Sequence, residues 1–174
     1  MTIKYGCYPK DKNPSYFYPC SIISLGNLKQ YWSNKTLLSQ LIKTSPYKID
    51  VYGKHKPHEK YDINYKGYAK SLDIIYDYQF GVNTVSKDNF RKNHFSSRII
   101  SYLAHGLPVL FPEWQKFPNK LKGCLSYNET NFVEVIEEYS EKDKWEKICI
   151  EAKEQGKELD WKITLRPLEK LINK

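Results

Sequence analysis

No run of apolar residues in this sequence approaches the roughly 20 that a membrane-spanning helix needs. The first residues, "MTIKYGCYPKDKNPSYFYP", hold no apolar core of the kind a secretory leader carries, so a cytoplasmic location is expected. Cysteine is sparse: Cys7, Cys20, Cys124 and Cys149 stand far apart, without a CxxC pair. That spacing argues against a zinc site or a disulfide framework and leaves buried, reduced thiols. Paired carboxylates suited to a metal ion are missing too, so no metal is expected. There is no internal repeat, no low-complexity tract, and no RNP or helix-turn-helix pattern.

What is present is a chain of 174 residues, 40% hydrophobic and 28% charged, long enough to bury a core as one soluble domain. Fifteen of its residues are tyrosine, and the net charge is +8. An excess of that sign suits anionic partners: nucleotide phosphates, nucleic acid or an acidic membrane surface. The basic residues are scattered among acidic ones rather than gathered in a stripe, which disfavours nucleic acid.

Residues 1–14 are polar and interrupted by Pro9 and Pro14, an arm or interdomain linker; residues 15–174 form the domain. "SIISLG" (21–26) reads as a buried strand ended by glycine. "SNKTLLSQLIKTS" places Leu37, Leu38, Leu41 and Ile42 on one helical face, capped by Ser33 or Asn34. "KIDVYG", "INYKGY" and "FGVNTVS" read as strands, with "SLDIIYD" as a short helix between the last two. "PVLFP" and "GCLSYN" are the final strands. Ser140 and Asp143 resemble a capping box ahead of a helix carrying Trp145, Ile148, Cys149 and Ala152, and "DWKITLRPLEKLINK" is expected to fold back over the sheet. The alternation predicts a Rossmann-like, three-layer α/β/α domain. Its sheet is mostly parallel, of about six strands, and its C-terminal part is helical. Ligands of such domains bind at the carboxyl ends of the strands, beside helix N-termini.

One segment stands out: "NHFSSRIISYLAHGLPVLFP", Asn93 to Pro112. Its helix starts near Ser96 and stops at Gly106, with Pro108 preventing continuation. The first amides of a helix lack internal acceptors and lie at the positive end of its dipole. Ser96 and Ser97 add small hydroxyls there, and Arg98 adds a forked, permanent cation. Together they would cradle a diphosphate. The plainer reading is a serine cap and a solvated arginine.

"IISLGNLK", "KIDVYG", "YKGYAKSLDIIYDYQFGVN" and "HFSSRIISYLAHGLPVLFP" together resemble the C-terminal, nucleotide-sugar-binding domain of GT-B-fold glycosyltransferases. The similar enzymes build bacterial surface polysaccharides or modify glycoproteins. The resemblance implies donor phosphates near Gly26, Asn27 and Lys29 and at Ser96, Ser97 and Arg98, with His94 beside them. It places Gly67 and Tyr68 near the base. Many relatives carry acidic residues where this chain has Asn93 and Ser101, so ribose recognition is expected to be looser or to use other groups.

A sugar would pass from a nucleotide diphosphate, a UDP-sugar favoured, to a hydroxyl of a glycan, glycolipid or glycoprotein. Arg98 would stabilise the departing diphosphate, and no further cofactor is implied. The acceptor half of a GT-B enzyme would come from an N-terminal domain or a partner chain, so the chain alone is expected to be weakly active or inactive. Two other readings are a non-catalytic partner or degenerate remnant of such an enzyme and a basic nucleic-acid-binding protein. The lysines of "KHKPHEK" fit either a solvated loop or contact with acidic lipid at the inner face of the membrane.

Overall fold

The computed structural model describes residues 6–93 and 96–166. Six strands form one sheet: β1 (Ser21–Leu25), β2 (Lys48–Tyr52), β3 (Tyr65–Gly67), β4 (Phe80–Val82), β5 (Val109–Pro112) and β6 (Cys124–Tyr127). Their order is β3-β2-β1-β4-β5-β6, and every pairing is parallel. The helices are α1 (Lys35–Thr44), α2 (Asn89–Lys92), α3 (Ser97–Ala104), α4 (Phe132–Ser140), α5 (Lys142–Glu158) and α6 (Trp161–Thr164). The expected Rossmann-like sheet is therefore present, with the C-terminal part helical. "SLDIIYD" forms a 3₁₀ helix over Leu72–Asp77.

Side chains on a strand alternate between faces, and here both faces are buried. Ile22, Ile49, Val51, Phe80, Val82, Leu110 and Leu125 join Leu37, Leu38 and Leu41 of α1 and Phe132 and Ile136 of α4 in one core. Ile23, Leu25, Val109 and Phe111 point the other way, onto Ile99, Ile100, Tyr102 and Leu103 of α3. The apolar run of each strand thus serves two layers at once.

Residues 6–14 lie against the body of the domain. The Cys7 amide donates to the Leu159 carbonyl at 2.8 Å, the Lys10 amide donates to the Ala104 carbonyl at 2.8 Å, and Cys7 itself is buried. The C-terminal segment meets this arm, where a β-carbon on Gly6 would fall 2.6 Å from the Trp161 ring. Of the segment expected to fold back over the sheet, residues 167–174 lie outside the described residues.

The helix boundaries follow from local chemistry. Asn34 caps α1, its Oδ1 accepting from the Leu37 amide at 3.0 Å. At the end of α3 the Gly106 amide donates to Leu103 O and the Leu107 amide to Tyr102 O, both at 3.0 Å. This is the Schellman pattern, and Gly106 takes the left-handed conformation it requires, at φ +70°. The Ser140–Asp143 capping box does not form. Ser140 is the last residue of α4, one residue from the start of α5, and its hydroxyl donates back to Glu137 O at 3.2 Å.

Candidate functional site

The sheet order reverses direction between β1 and β4, because the chain winds outward to β3 before returning. Chains departing to opposite sides leave a crevice at the carboxyl ends of such strands. Here β1 and β4 pair only at Ile22–Phe80 and Ile23–Gly81, while β1 runs on to Leu25. Tyr102, fully buried one turn into α3, fills the parting. Its hydroxyl accepts from the Leu25 amide at 2.8 Å and donates to the Ile23 carbonyl at 3.2 Å. Its ring occupies the space over Gly81, where a β-carbon would come within 2.6 Å. Burial pushes the Tyr102 phenol up, so it keeps the proton it donates.

Above this wedge a cleft of about 510 Å³ opens between the loop after β1, the segment after β4 and the start of α3. Gly26, Asn27, Ser96, Ser97 and Arg98 line it, and among the described residues no carboxylate does. Ser96 holds the N-cap position but makes no capping bond; its hydroxyl donates to Asn83 Oδ1 at 3.3 Å. Asn83 is itself buried and donates to Gln115 Oε1 at 3.0 Å, which ties the ends of β4 and β5 to the start of the helix. The Ser97 and Arg98 amides, in the first turn, have no acceptor within the helix.

Arg98 is the electrostatic centre of the cleft. Its guanidinium lies over the Gly26 backbone, where a β-carbon would sit 2.6 Å from Cζ. Nη1 is enclosed and has no hydrogen-bond partner, and no described carboxylate pairs with the side chain. Burial presses the guanidinium below its ordinary value, and the neighbouring Tyr102 offsets this only in part. Gly26 permits this with φ +139°, a conformation few other residues adopt. The Gly26 carbonyl in turn abuts Gly53, whose amide donates to Gly67 O at 2.9 Å, so three glycines close ranks across the ends of β1, β2 and β3.

The other residues singled out in the sequence are placed differently. Lys29 is exposed outside the cleft, near Lys54 and His55; desolvation first, then these two lysines, lower the His55 imidazole. Tyr68 is 70% exposed and lines a separate hollow with Tyr52 and Lys70, beyond Gly67. Ser101 points along its own helix, its hydroxyl donating to Ser97 O at 3.0 Å, and Asn93 is an exposed residue ending α2. His94 lies outside the described residues.

Several lining residues escaped the sequence reading: Gln30, Tyr31, Trp32, Phe90, Arg91 and Gln115. Arg91 forms an ion pair with Asp88 and stacks over Tyr31 and Trp32, at 5.3 and 5.6 Å from the ring centroids. They sit in loops and in the short helix α2, brought together by tertiary contacts such as the Ser33–Val85 bridge, and local spacing holds no trace of that.

Fold and cleft together define the class: a doubly wound α/β domain with a crevice at its switch point, lined by Gly26, Ser96, Ser97 and Arg98. Neither a family model nor a curated protein sequence matches the chain. Solved structures do. HepE of Anabaena, in complex with UDP-glucose, superposes with a TM-score of 0.66 at 11% identity, over 90% of this chain and 50% of that one. TarM does so with a TM-score of 0.63 at 13% identity, over 99% of this chain and 37% of that one. The pneumococcal O-GlcNAc transferase GtfA, in complex with UDP and GlcNAc, gives 0.59 at 12% identity, over 97% and 38%. The chain thus spans half or less of each. The likeness is one of fold, and it is the glycosyltransferase-like fold that the sequence resemblance implied.

Proposed function

We propose that this chain is the donor-binding half of a glycosyltransferase, holding a nucleotide sugar, with a UDP-sugar favoured. The observation that carries the reading is Arg98, an uncompensated and partly enclosed guanidinium laid across Gly26 at the open end of α3. Such a cation is costly to keep without an anion, and a diphosphate is the ligand that both it and the first-turn amides would receive. The complexes of HepE and GtfA, solved with UDP-glucose and with UDP, support the choice of ligand.

In the reaction the bond between the anomeric carbon and the diphosphate oxygen breaks, and its electron pair stays on the diphosphate. Arg98 and the Ser97 and Arg98 amides stabilise the charge that develops there. The acceptor hydroxyl, on a glycan, glycolipid or glycoprotein, bonds to the anomeric carbon and loses its proton to a base. We assign that base and the acceptor site to an N-terminal domain or a partner chain, as the resemblance to two-domain GT-B enzymes implies. With alignment of the two substrates left to that half, this chain alone binds donor and transfers little. The chemistry belongs on the cytoplasmic side, where nucleotide sugars are available.

A second reading is a non-catalytic partner or remnant that keeps the fold but not a working donor site. It is favoured by Asn93 and Ser101, neither of which lines the cleft. Thermal denaturation with uridine, UMP, UDP and UDP-glucose tests the donor site. A ligand at 100 times its Kd stabilises by about 2.7 kcal/mol, roughly 5–10 °C for a chain of this size. The shift is expected to appear with the second phosphate; a flat response to every nucleotide removes the donor role.

A further inference from the structure

Beside the anion seat, in the same cleft, two aromatic rings meet at a corner. Tyr31 and Trp32 lie 5.0 Å apart at 78°, edge to face. Tyr31 is 78% exposed, and Phe90, which also lines the cleft, is 70% exposed. Large apolar surface held open beside a polar seat is a mark of ligand contact. The corner is built before any ligand arrives. The Ser86 amide donates to Trp32 O at 2.8 Å, and Arg91, its charge matched by Asp88, stacks on both rings. Arg91 therefore stiffens the corner rather than adding a second free cation.

From this placement we infer that the Tyr31–Trp32 corner is the subsite for the glycosyl group of the donor, an uncharged pyranose that lays its C–H face on Tyr31. The inference rests on the donor reading above and adds the position and chemical class of the sugar.

The argument is one of reach. The diphosphate seat lies at the end of β1. The aromatic corner is tied to Val85 and Ser86, just past β4, the strand next to β1. Tyr68 stands at the end of β3, two strands away on the opposite side, about 10 Å at ordinary strand spacing. The sugar ring of a nucleotide sugar is bonded directly to a phosphate oxygen, whereas the base is held off by the ribose. The ring that shares a cleft with the seat is therefore the sugar, and the far tyrosine is at the distance of a base. A pyranose presents axial hydrogens on one face and hydroxyls at its rim. That shape suits an aromatic face with the Gln30 amide beside it.

Calorimetric titration of the wild-type chain, Tyr31→Ala and Tyr31→Phe decides the matter, with UDP, UDP-glucose, UDP-galactose and UDP-N-acetylglucosamine as ligands. The exposure of Tyr31 keeps the fold out of question. In wild type at least one UDP-sugar is expected to bind more tightly than UDP. Tyr31→Ala is expected to bind UDP as wild type does and to lose about tenfold of the advantage that the best sugar confers. Tyr31→Phe, which keeps the ring, is expected to retain it. An equal loss for UDP and UDP-sugar, an unchanged ratio in Tyr31→Ala, or no sugar advantage in wild type overturns the assignment. Absence of UDP binding by wild type is a different result, the failure of the donor site itself, and the corner falls with it.

Discussion

The guanidinium of Arg98 rests on the backbone of Gly26 with no room between them for a β-carbon, which would lie 2.6 Å from Cζ. Two segments 72 positions apart are thereby locked into one surface, and the backbone freedom of one sets the position of the other's charge. Gly26→Ala is expected to fold, to lose about 1–2 kcal/mol through its positive φ, and to displace the guanidinium from the cleft. The check is UDP affinity beside a urea melt: affinity should fall at least tenfold although the chain remains folded.

Arg98→Met should do the opposite to stability. An unpaired cation with an enclosed nitrogen costs folding energy that a flexible apolar side chain does not. The free variant is expected to be about 1 kcal/mol more stable than wild type, a rise of roughly 2–4 °C in Tm. A scan without ligand measures it, and a lower Tm would mean that the arginine has compensation the cleft does not display.

Tyr102→Phe keeps the ring over Gly81 and strips away the hydroxyl shared by Leu25 and Ile23. The buried Leu25 amide is left without its partner, at a cost of about 1–3 kcal/mol by urea denaturation. Because the same hydroxyl pins α3 to β1, amide exchange at Leu25 should also rise relative to the rest of the sheet.

Much of the scaffold was legible in the sequence because its signals are local. Asn34 and Gly106 mark the ends of their helices through hydrogen bonds to neighbours three to five positions away. The alternation of Ile22 with Ile23, or of Leu110 with Phe111, announces strands covered on both faces. Ser140 misled because its neighbour Glu141 alone separates two helices, a matter of packing rather than of motif. For the cleft, Gly26, Asn27, Ser96, Ser97 and Arg98 could be picked out by residue type at a strand or helix end. Asn83, Gln115 and the Tyr31–Trp32 corner could not. Their positions depend on contacts across the sheet, such as Asn83 with Gln115, that no periodicity records.

Stability should be greatest between about pH 7 and 9. His105 is buried, with Nε2 unpartnered, and burial holds its imidazole below the ordinary 6.5. As pH falls below that value the unfolded chain takes up a proton the folded one refuses, and stability drops. On the alkaline side, burial pushes the Cys7 thiol from 9.0 to about 11 and the Cys20 thiol to about 12. Both are protonated in folded and unfolded chains below 9, so their contribution is intact there. Above it the unfolded thiols ionise first, and stability is lost as pH climbs through the folded values. Tm measured from pH 5 to 11 should trace this plateau. A maximum below pH 6 would contradict it.

The most direct measurement is calorimetric titration of UDP into the wild-type chain and into Arg98→Ala. Wild type is expected to bind one UDP per chain, and Arg98→Ala to bind it at least tenfold more weakly with its fold intact. Equal affinity in the two proteins, or no binding by wild type, would show that the cleft between Gly26 and Arg98 is not a diphosphate site.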